Sequence, residues 1–303
     1  MKRSFCTDAV MHIYQRTIHG FNIFYSTEGF LVFYTIVSIY ARRYGVCLMG
    51  LCQMIDHIHL LCMSKDLSIM SRFVSSYTSV FVKEFNSFIG RSGKLFEKAY
   101  GSAVKKDEKK VRSAIAYLFN NPVEKKLCNK AEDYRWNYLK YYDSEKRHET
   151  LKLSRQARRI IKVIEECYHN DRYLGYGLLT NLLLKSTPEE KNIIIDHIIR
   201  LYFPFDKAML ISHYRSYKDM VTAINSNTGS EYEIKEIHYN KTDLPYREMI
   251  AFFKKIGIHN VQSVICLPNK RKYEYLTHLK AATSASYTQI RKFLHIESSR
   301  KQV

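Results

Sequence analysis

The sequence predicts an α+β fold: a small antiparallel sheet with helices in the first half of the chain, followed by a helical second half. Short apolar or alternating segments predict strands at 10–17, 45–53, 56–63 and 99–104. Longer segments with helical spacing alternate with them, at 27–43, 67–89 and 107–120. Beyond residue 150 only helical patterns recur. Such an alternation favours an antiparallel sheet that helices cover on one face.

The first predicted helix contains an apolar run, Phe30–Tyr40, that is too short to span a bilayer and therefore predicts a buried helix. The start of the chain is basic but lacks the apolar stretch of a signal peptide. We therefore expect no association with a membrane.

The third predicted helix carries two faces. Val111, Ile115 and Leu118 recur at helical spacing and predict a core stripe. Tyr117 and Asn121 stand one turn apart on a face rotated away from that stripe. Pro122, which lacks an N–H and restricts the preceding residue, is expected to end this helix.

Two histidines flank one apolar residue in the third predicted strand. Side chains alternate along a strand, so His57 and His59 project to one face and Ile58 to the other. Two neighbouring imidazoles can bind one divalent ion and leave positions open for a phosphate oxygen. A pair of structural histidines without a metal is the alternative.

A phenol and an amide one helical turn apart can act together. The amide oxygen of Asn121 can coordinate a hard cation, and the phenolate of Tyr117 can attack phosphorus. Because the chain contains 24 tyrosines, a simple packing role for Tyr117 is the alternative.

The order of these motifs resembles that of a known family, the REP-associated tyrosine transposase branch of the single-tyrosine HUH transposases. The resemblance covers about the first 145 residues. It rests on Arg42-Arg43-Tyr44, Met54-x-x-His57-x-His59-Leu-Leu, Tyr77 with Phe85-Asn86, Gly93-Lys-Leu-Phe96, Tyr117-x-x-x-Asn121-Pro-Val and Tyr134-Arg-Trp-Asn-Tyr138. Two departures are Asp56, where the family more often has Asn, and the segment 97–100, where relatives more often carry Gln-x-Arg.

The resemblance implies a ferredoxin-like catalytic domain over residues 1–145. It implies that His57, His59 and Asn121 hold Mg²⁺ or Mn²⁺ and that Tyr117 is the catalytic nucleophile. The implied reaction is cleavage and rejoining of single-stranded DNA at hairpin or repeat elements, through a 5′-phosphotyrosine. It also implies a bacterial cytoplasmic protein and allows a homodimer.

Composition agrees with a nucleic-acid partner. The 303 residues suggest two domains. A net charge of +19, from 48 basic and 29 acidic residues, favours polyanions, although such a charge can also serve solubility alone. The seven cysteines form no C-x-x-C pair, which is typical of a reducing cytosol.

The boundary between the two predicted domains, 1–145 and 146–303, falls within a charged segment, 143–150, that we interpret as a domain junction. Thr187-Pro-Glu-Glu190 predicts a capped helix start. A loop is expected at 225–230 and a further helix from Leu244 to Ile256.

The end of the chain predicts a helix-turn-helix at about 270–296. The first helix, 270–281, would pack through Tyr273, Leu276 and Leu279, and the second, 287–294, through Ile290, Phe293 and Leu294. The side chains expected to face nucleic acid are Gln289, Arg291 and Lys292.

Three alternatives stay open. Any two-helix end of a helical domain has this pattern, so the helix-turn-helix could be structural. The protein could be a domesticated DNA-binding regulator without catalysis, or it could bind RNA. The presence of all four candidate site residues favours catalysis over an idle site.

Overall fold

A four-stranded antiparallel sheet organises the first half of the chain, in a computed structural model that describes residues 5–7, 9–143, 153–226 and 244–297. Its strands are β1 (Val10–Arg16), β2 (Cys47–Gln53), β3 (His57–Met63) and β4 (Gly101–Lys105). They lie in the order β2-β3-β1-β4, and each neighbouring pair is antiparallel. Helix α1 (Thr27–Tyr44) follows β1, and α2 (Leu67–Ile89) follows β3. This βαββαβ order is that of a split βαβ, or ferredoxin-like, unit.

Helices α1 and α2 pack against each other on one face of the sheet. The Asp66 carboxylate caps α2 by accepting a hydrogen bond from the Ile69 N–H at 2.7 Å. Both helices end at a glycine in the left-handed region, Gly45 with φ 60° and Gly90 with φ 68°. Residues 31–39 are all buried, as the apolar run predicts. No helix in the described part of the chain is long and apolar enough to cross a membrane.

The opposite face of the sheet is covered by α3 (Glu108–Glu124), which corrects the prediction of helices on one face only. Gly50 of β2 lies directly beneath this helix. A Cβ atom at Gly50 would lie 3.2 Å from the Phe119 ring and 3.3 Å from Leu118 Cδ2. The absence of a side chain at Gly50 therefore lets α3 approach the sheet closely.

Helix α3 does not end at Pro122, as the sequence predicts, but continues to Glu124. Proline removes one N–H donor from the helix, yet the following turn still forms, with the Lys125 N–H bonded to Asn121 O at 3.1 Å. All residues from 114 to 122 are buried. Packing against the sheet therefore stabilises a turn that proline alone would disfavour.

The second half is helical in its described residues, apart from one bridge between Leu48 and Phe205. Its helices are α4 (Arg155–His169), α5 (Tyr176–Leu184), α6 (Pro188–Leu201), α7 (Lys207–Ser212), α8 (Tyr217–Ser226), α9 (Leu244–Lys255), α10 (Asn269–Ala282) and α11 (Tyr287–Leu294). The capping box that Thr187 and Glu190 predict is present at the start of α6. Asn225 and Ser226, expected in a loop, end α8 instead, and 227–230 lie outside the described residues, as do 144–150 of the predicted junction.

The second half packs closely on the first. The Tyr34 hydroxyl in α1 donates a hydrogen bond to Ile199 O at 2.7 Å, and the Asp206 N–H donates to Leu48 O at 2.7 Å. Buried apolar residues from both halves form one continuous hydrophobic cluster. The boundary at 145/146 stays a prediction.

The last two helices match their predicted bounds, and two of the three apolar residues predicted to pack α10 do so. Leu279 is buried and Leu276 is partly buried, as predicted. Tyr273, also expected in the core, is exposed, and Lys272 is buried instead. In α11, Ile290 and its apolar neighbours are buried as predicted. The helix rests on the first half of the chain, where the Tyr25 hydroxyl donates to Phe293 O at 2.6 Å.

Candidate active site

The two histidines of β3 lie side by side on the sheet face that α3 covers. Pairing with β1 places His57 opposite Arg16 and His59 opposite Tyr14, so the predicted common face is correct. The two rings are nearly perpendicular, with centroids 5.0 Å apart. His59 is fully buried, and His57 is 8% exposed. Their burial places both imidazoles in a setting where electrostatic interactions are strong.

Helix α3 brings Tyr117 and Asn121 to the same place. The Tyr117 ring lies edge-on to His59, with centroids 5.3 Å apart. Asn121 Nδ2 lies 3.4 Å from His59 Nε2. The four candidate residues, which span 65 positions of the sequence, therefore form one cluster between the sheet and α3. Tyr117 and Asn121 do not lie on a face apart from the core, because that part of α3 is buried on every side.

His12 of β1 belongs to this cluster and was not predicted from the sequence. His12 Nε2 lies 2.9 Å from His59 Nδ1, and the two rings stack with centroids 5.1 Å apart. The Tyr117 ring is 5.7 Å from His12. Alternation along β1 puts His12 on the same face as Tyr14, but the sequence did not show that β1 pairs with β3. This contact occupies Nδ1 of His59 and leaves Nε2 directed toward Asn121.

Asp56 positions the imidazole of His57. Its Oδ1 lies 2.6 Å from His57 Nδ1, and its Oδ2 lies 3.8 Å from Lys292 Nζ in α11. Burial alone would raise the pKa of Asp56, but the adjacent His57 ring and Lys292 together hold it below its usual value. The carboxylate therefore accepts the Nδ1 proton of His57, an arrangement that typically orients a metal-binding imidazole.

Two polar atoms of the cluster are buried without a hydrogen-bond partner in the described part of the chain. They are His57 Nε2 and Asn121 Oδ1. Burial of a polar atom without a partner costs free energy, so such atoms call for an explanation. Two imidazole nitrogens and one amide oxygen form a donor set that suits a divalent cation.

The protonation of His59 fits that role. Burial lowers the pKa of His59 well below its usual value, and the neighbouring His12 and His57 rings act in the same direction. His59 is therefore neutral at physiological pH, with a lone pair available on one nitrogen. Among the described residues, no group of three His, Cys, Asp or Glu could hold a metal ion, so a set of three donors at this cluster would have to include the amide oxygen of Asn121.

The three predicted nucleic-acid contacts lie elsewhere, on α11, and one requires correction. Gln289 is 6% exposed, and its Oε1 accepts hydrogen bonds from the N–H and hydroxyl of Ser286, 3.0 and 2.9 Å away. It closes a capping box and does not face solvent. Lys292 lies near Asp56, and Arg291 is half-buried. The sequence signal for this cap was Ser286 three residues before Gln289.

Access to the cluster is restricted. The Tyr117 side chain has no exposed surface. At the rim, Arg16 and Tyr14 of β1 are exposed, Tyr14 by 38%. A ligand that approached past β1 would therefore reach Tyr117 only after α3 or the rim side chains had moved.

Comparisons with known proteins give little further information. No protein-family model matches this chain. The curated proteins include no match either. Among solved structures, similarity is found to a REP-associated tyrosine transposase bound to a REP hairpin, with 11% sequence identity and a TM-score of 0.38. The similarity covers 51% of this chain and 94% of that one.

Proposed function

We propose that this protein cleaves and rejoins single-stranded DNA in a metal-dependent reaction with a 5′-phosphotyrosine intermediate. The observation that carries the proposal is the convergence of His57, His59 and Asn121 beside the ring of Tyr117. Two of these groups present buried polar atoms without a hydrogen-bond partner in the described structure, as a metal site without its ion would. The arrangement joins a cation-binding donor set to a nucleophile.

The donor set fits Mg²⁺ or Mn²⁺. His57 and His59 would contribute their Nε2 atoms and Asn121 its Oδ1, while Asp56 and His12 hold the two rings in place from behind. When bound, the cation supplies positive charge that neutralises the scissile phosphate and favours the phenolate.

Tyr117 would act as the nucleophile. In the proposed step a bond forms between the phenol oxygen and phosphorus, and the bond from phosphorus to the 3′ oxygen breaks. The phenol loses its proton, and the leaving 3′ oxygen gains one, so charge and atoms balance. Because the phosphotyrosine keeps the energy of the phosphodiester, the 3′-hydroxyl of a second strand can reverse the step and rejoin DNA without ATP.

Charge and the last helices support a DNA substrate within this proposal. A net charge of +19 favours a polyanion. Helices α10 and α11 are joined by a short turn, as in a helix-turn-helix, and Arg291 would face DNA at its edge. Hairpin or repeat elements as targets, action as a homodimer and a bacterial cytoplasmic location belong to the same proposal.

The burial of Tyr117 favours a second candidate function, a DNA-binding regulator that does not cleave. In that case the cluster would be a structural remnant, and the closed site would never admit a phosphate. The two functions differ in one measurable respect, because only the first forms a covalent bond between protein and DNA.

In the decisive experiment, the full chain is incubated with hairpin-containing single strands of DNA and Mn²⁺. Covalent adducts between protein and DNA are then resolved on a denaturing gel. The unchanged protein should form an adduct with DNA, and Tyr117→Phe should reduce it by about 10⁴-fold or more. Tyr14→Phe is the control, because Tyr14 is the exposed tyrosine at the rim.

An adduct formed by Tyr117→Phe would overturn the assignment of the nucleophile. DNA binding by the unchanged protein without any adduct would favour the regulator. An RNA strand of the same sequence tests the third alternative, because preferential binding or cleavage of RNA would identify an RNA-processing protein.

A further inference from the structure

A cleft of about 250 Å³ lies between the first half of the chain and α9, and two of its lining residues belong to segments that adjoin the candidate active site in the sequence. On one side it reaches Ile55, which shortly precedes His57, and on another Leu127, which follows the helix that carries Asn121. Backbone hydrogen bonds from the N–H groups of Ile23 and Phe24 to Ile55 O hold this edge in place. The cleft and the proposed cleavage site therefore share two segments of the chain.

One wall of the cleft is a stack of aromatic rings. Phe24 stacks on Phe30 at 4.6 Å, and Phe30 stacks on Trp136 at 4.5 Å with only 4° between their planes. Tyr134 lines the same wall and is fixed by a 2.8 Å hydrogen bond from its hydroxyl to Gln53 O. Stacked rings that line an open cleft form a surface on which a planar base can stack.

The opposite wall is basic. Arg247 and Lys254 are two turns apart on α9 and therefore share one face of the helix, with Ile250 between them. Both are exposed, and neither forms an ion pair or a hydrogen bond with another residue of the described ranges. Of the described lining side chains none is acidic. This wall suits a phosphate group.

The N-terminal end of α1 adds to the positive potential. Ser26, the N-cap residue, and Thr27 both line the cleft. The first N–H groups of a helix and its dipole attract anions. Together with the two cations and the aromatic wall, this end of α1 gives the cleft one side for a planar apolar group and another for an anion.

We propose that the cleft binds an unpaired nucleotide, with its base stacked against Trp136 and its phosphate between Arg247 and Lys254. The inference rests on the proposed function, because the nucleotide would belong to the strand whose neighbouring phosphate lies at Tyr117. A base inside the cleft stacks on the aromatic wall instead of on its neighbours in a duplex, so occupancy requires a base that is unstacked and unpaired. The cleft would thereby select single strands over duplex.

Trp136 is the one tryptophan of the chain, so its fluorescence reports on this cleft alone. The full chain is titrated with a short single strand of DNA that carries a dye, in the presence of a chelator that prevents cleavage. The fluorescence anisotropy of the dye reports total binding, and the fluorescence of Trp136 reports occupancy of the cleft. The proposal expects quenching of Trp136 that saturates together with the anisotropy. A strand with an abasic site should bind with little quenching, and a duplex should not quench.

Two variants on α9 make the test specific. Lys254→Ala should weaken binding of the single strand by about three- to tenfold, whereas Lys255→Ala, its exposed neighbour that does not line the cleft, should leave it unchanged. Trp136→Phe keeps an aromatic ring and should retain affinity, while Trp136→Ala should lower it by about tenfold. A mononucleotide alone should quench only weakly, because it lacks the rest of the strand.

The outcomes separate this inference from the proposed function. Strand binding without quenching, with equal effects of Lys254→Ala and Lys255→Ala, would overturn the cleft proposal and leave cleavage by Tyr117 intact. Saturating quenching without a covalent adduct in the Tyr117 assay would support the cleft and overturn cleavage. Quenching by an acidic peptide but not by a single strand would overturn both the nucleotide and the DNA assignments for this surface.

Discussion

His12 Nε2 lies 2.9 Å from His59 Nδ1, which joins β1 to the candidate metal site through one contact. The amide nitrogen of Asn121 can only donate, so His59 Nε2 accepts from Asn121 Nδ2, and the His59 proton lies on Nδ1, which donates to His12 Nε2. Since Nδ1 is occupied, Nε2 is the nitrogen that points toward Asn121. His12 is therefore a positioning residue for His59.

Loss of the His12 contact should weaken metal binding without removing a ligand. We expect His12→Ala to lower the affinity for Mn²⁺ by about 10- to 100-fold, as removal of a group behind a metal ligand commonly does. Calorimetric titration with Mn²⁺ measures this. His278→Ala, which removes an exposed histidine from α10, is the control and should bind as the unchanged protein does. Equal affinities of all three proteins would show that His12 has only a packing role.

Loss of a proposed ligand should have a larger effect. His57→Ala and His59→Ala should each abolish Mn²⁺-dependent cleavage, because one imidazole and one amide oxygen cannot hold the cation against water. The covalent adduct and the calorimetric titration provide two independent readouts. Undiminished Mn²⁺ binding by His59→Ala, or full cleavage in excess chelator, would contradict the metal site.

The close approach of α3 to the sheet predicts a cost for any side chain at Gly50. Gly50→Ala would place a Cβ 3.2 Å from Phe119 and should reduce the free energy of unfolding by about 1–3 kcal/mol. Gly177→Ala, in α5 with no atom within 4 Å, should instead leave stability unchanged or raise it by about 0.5–1 kcal/mol. Denaturant unfolding measures both. A Gly50→Ala protein as stable as Gly177→Ala would show that α3 is not held against β2.

His295, at the end of α11, should make stability depend on pH. Burial lowers its pKa to about 3, against an unfolded value near 6.5, although the hydrogen bond from Nε2 to Asn22 O acts in the opposite direction. Between these values the unfolded chain binds the proton and the folded chain does not. The contribution of neutral, buried His295 to the free energy of unfolding is therefore present above about pH 6.5 and is lost as the pH falls toward 3.

Thermal unfolding across that range tests this dependence. The unchanged protein should lose stability on acidification more steeply than His295→Gln, which keeps a donor but does not titrate. The exposed His278→Gln serves as the control and should follow the unchanged protein. Parallel curves for His295→Gln and the unchanged protein would contradict the depressed pKa of His295.

The role of the last helices is better tested by point changes than by truncation. Deletion of 260–303 would remove the buried Ile290 and Phe293 from the shared core and should destabilise the first half as well. We expect Arg291→Ala to weaken DNA binding and to reduce the dependence of affinity on salt, while adduct formation at Tyr117 persists. Affinities at two salt concentrations measure the effect. Unchanged affinity and salt dependence would mean that α11 has only a structural role.

Local sequence patterns predicted the elements of the first half well. The four strands and three helices agree with the structure to within a few residues, because alternation, helical spacing and caps are encoded over short distances. The sequence motifs also predicted that four side chains would lie together, and the structure brings together His57, His59, Tyr117 and Asn121.

The predictions that were wrong or incomplete concern residues whose environment depends on packing against distant parts of the sequence. Pro122 stays inside α3 because its neighbours are buried against the sheet, a contact that the proline pattern does not include. His12 was missed because strand pairing was unknown from the sequence. Gln289 was expected to face nucleic acid together with Arg291 and Lys292, yet it closes a cap with Ser286. Tyr273 was expected in the core but is exposed, and Lys272 is buried in α10 instead.

The seating of α11 on the first half has a consequence for synthesis. Phe293 receives the hydrogen bond from Tyr25, and Lys292 lies at Asp56, so the last helix completes surfaces that belong to the first strands. A ribosome delivers those strands, and the helix that carries Tyr117, long before it delivers α11. A nascent chain can therefore form its sheet early, but burial of the core around Tyr25 and the ion pair between Asp56 and Lys292 wait until the ribosome has delivered α11.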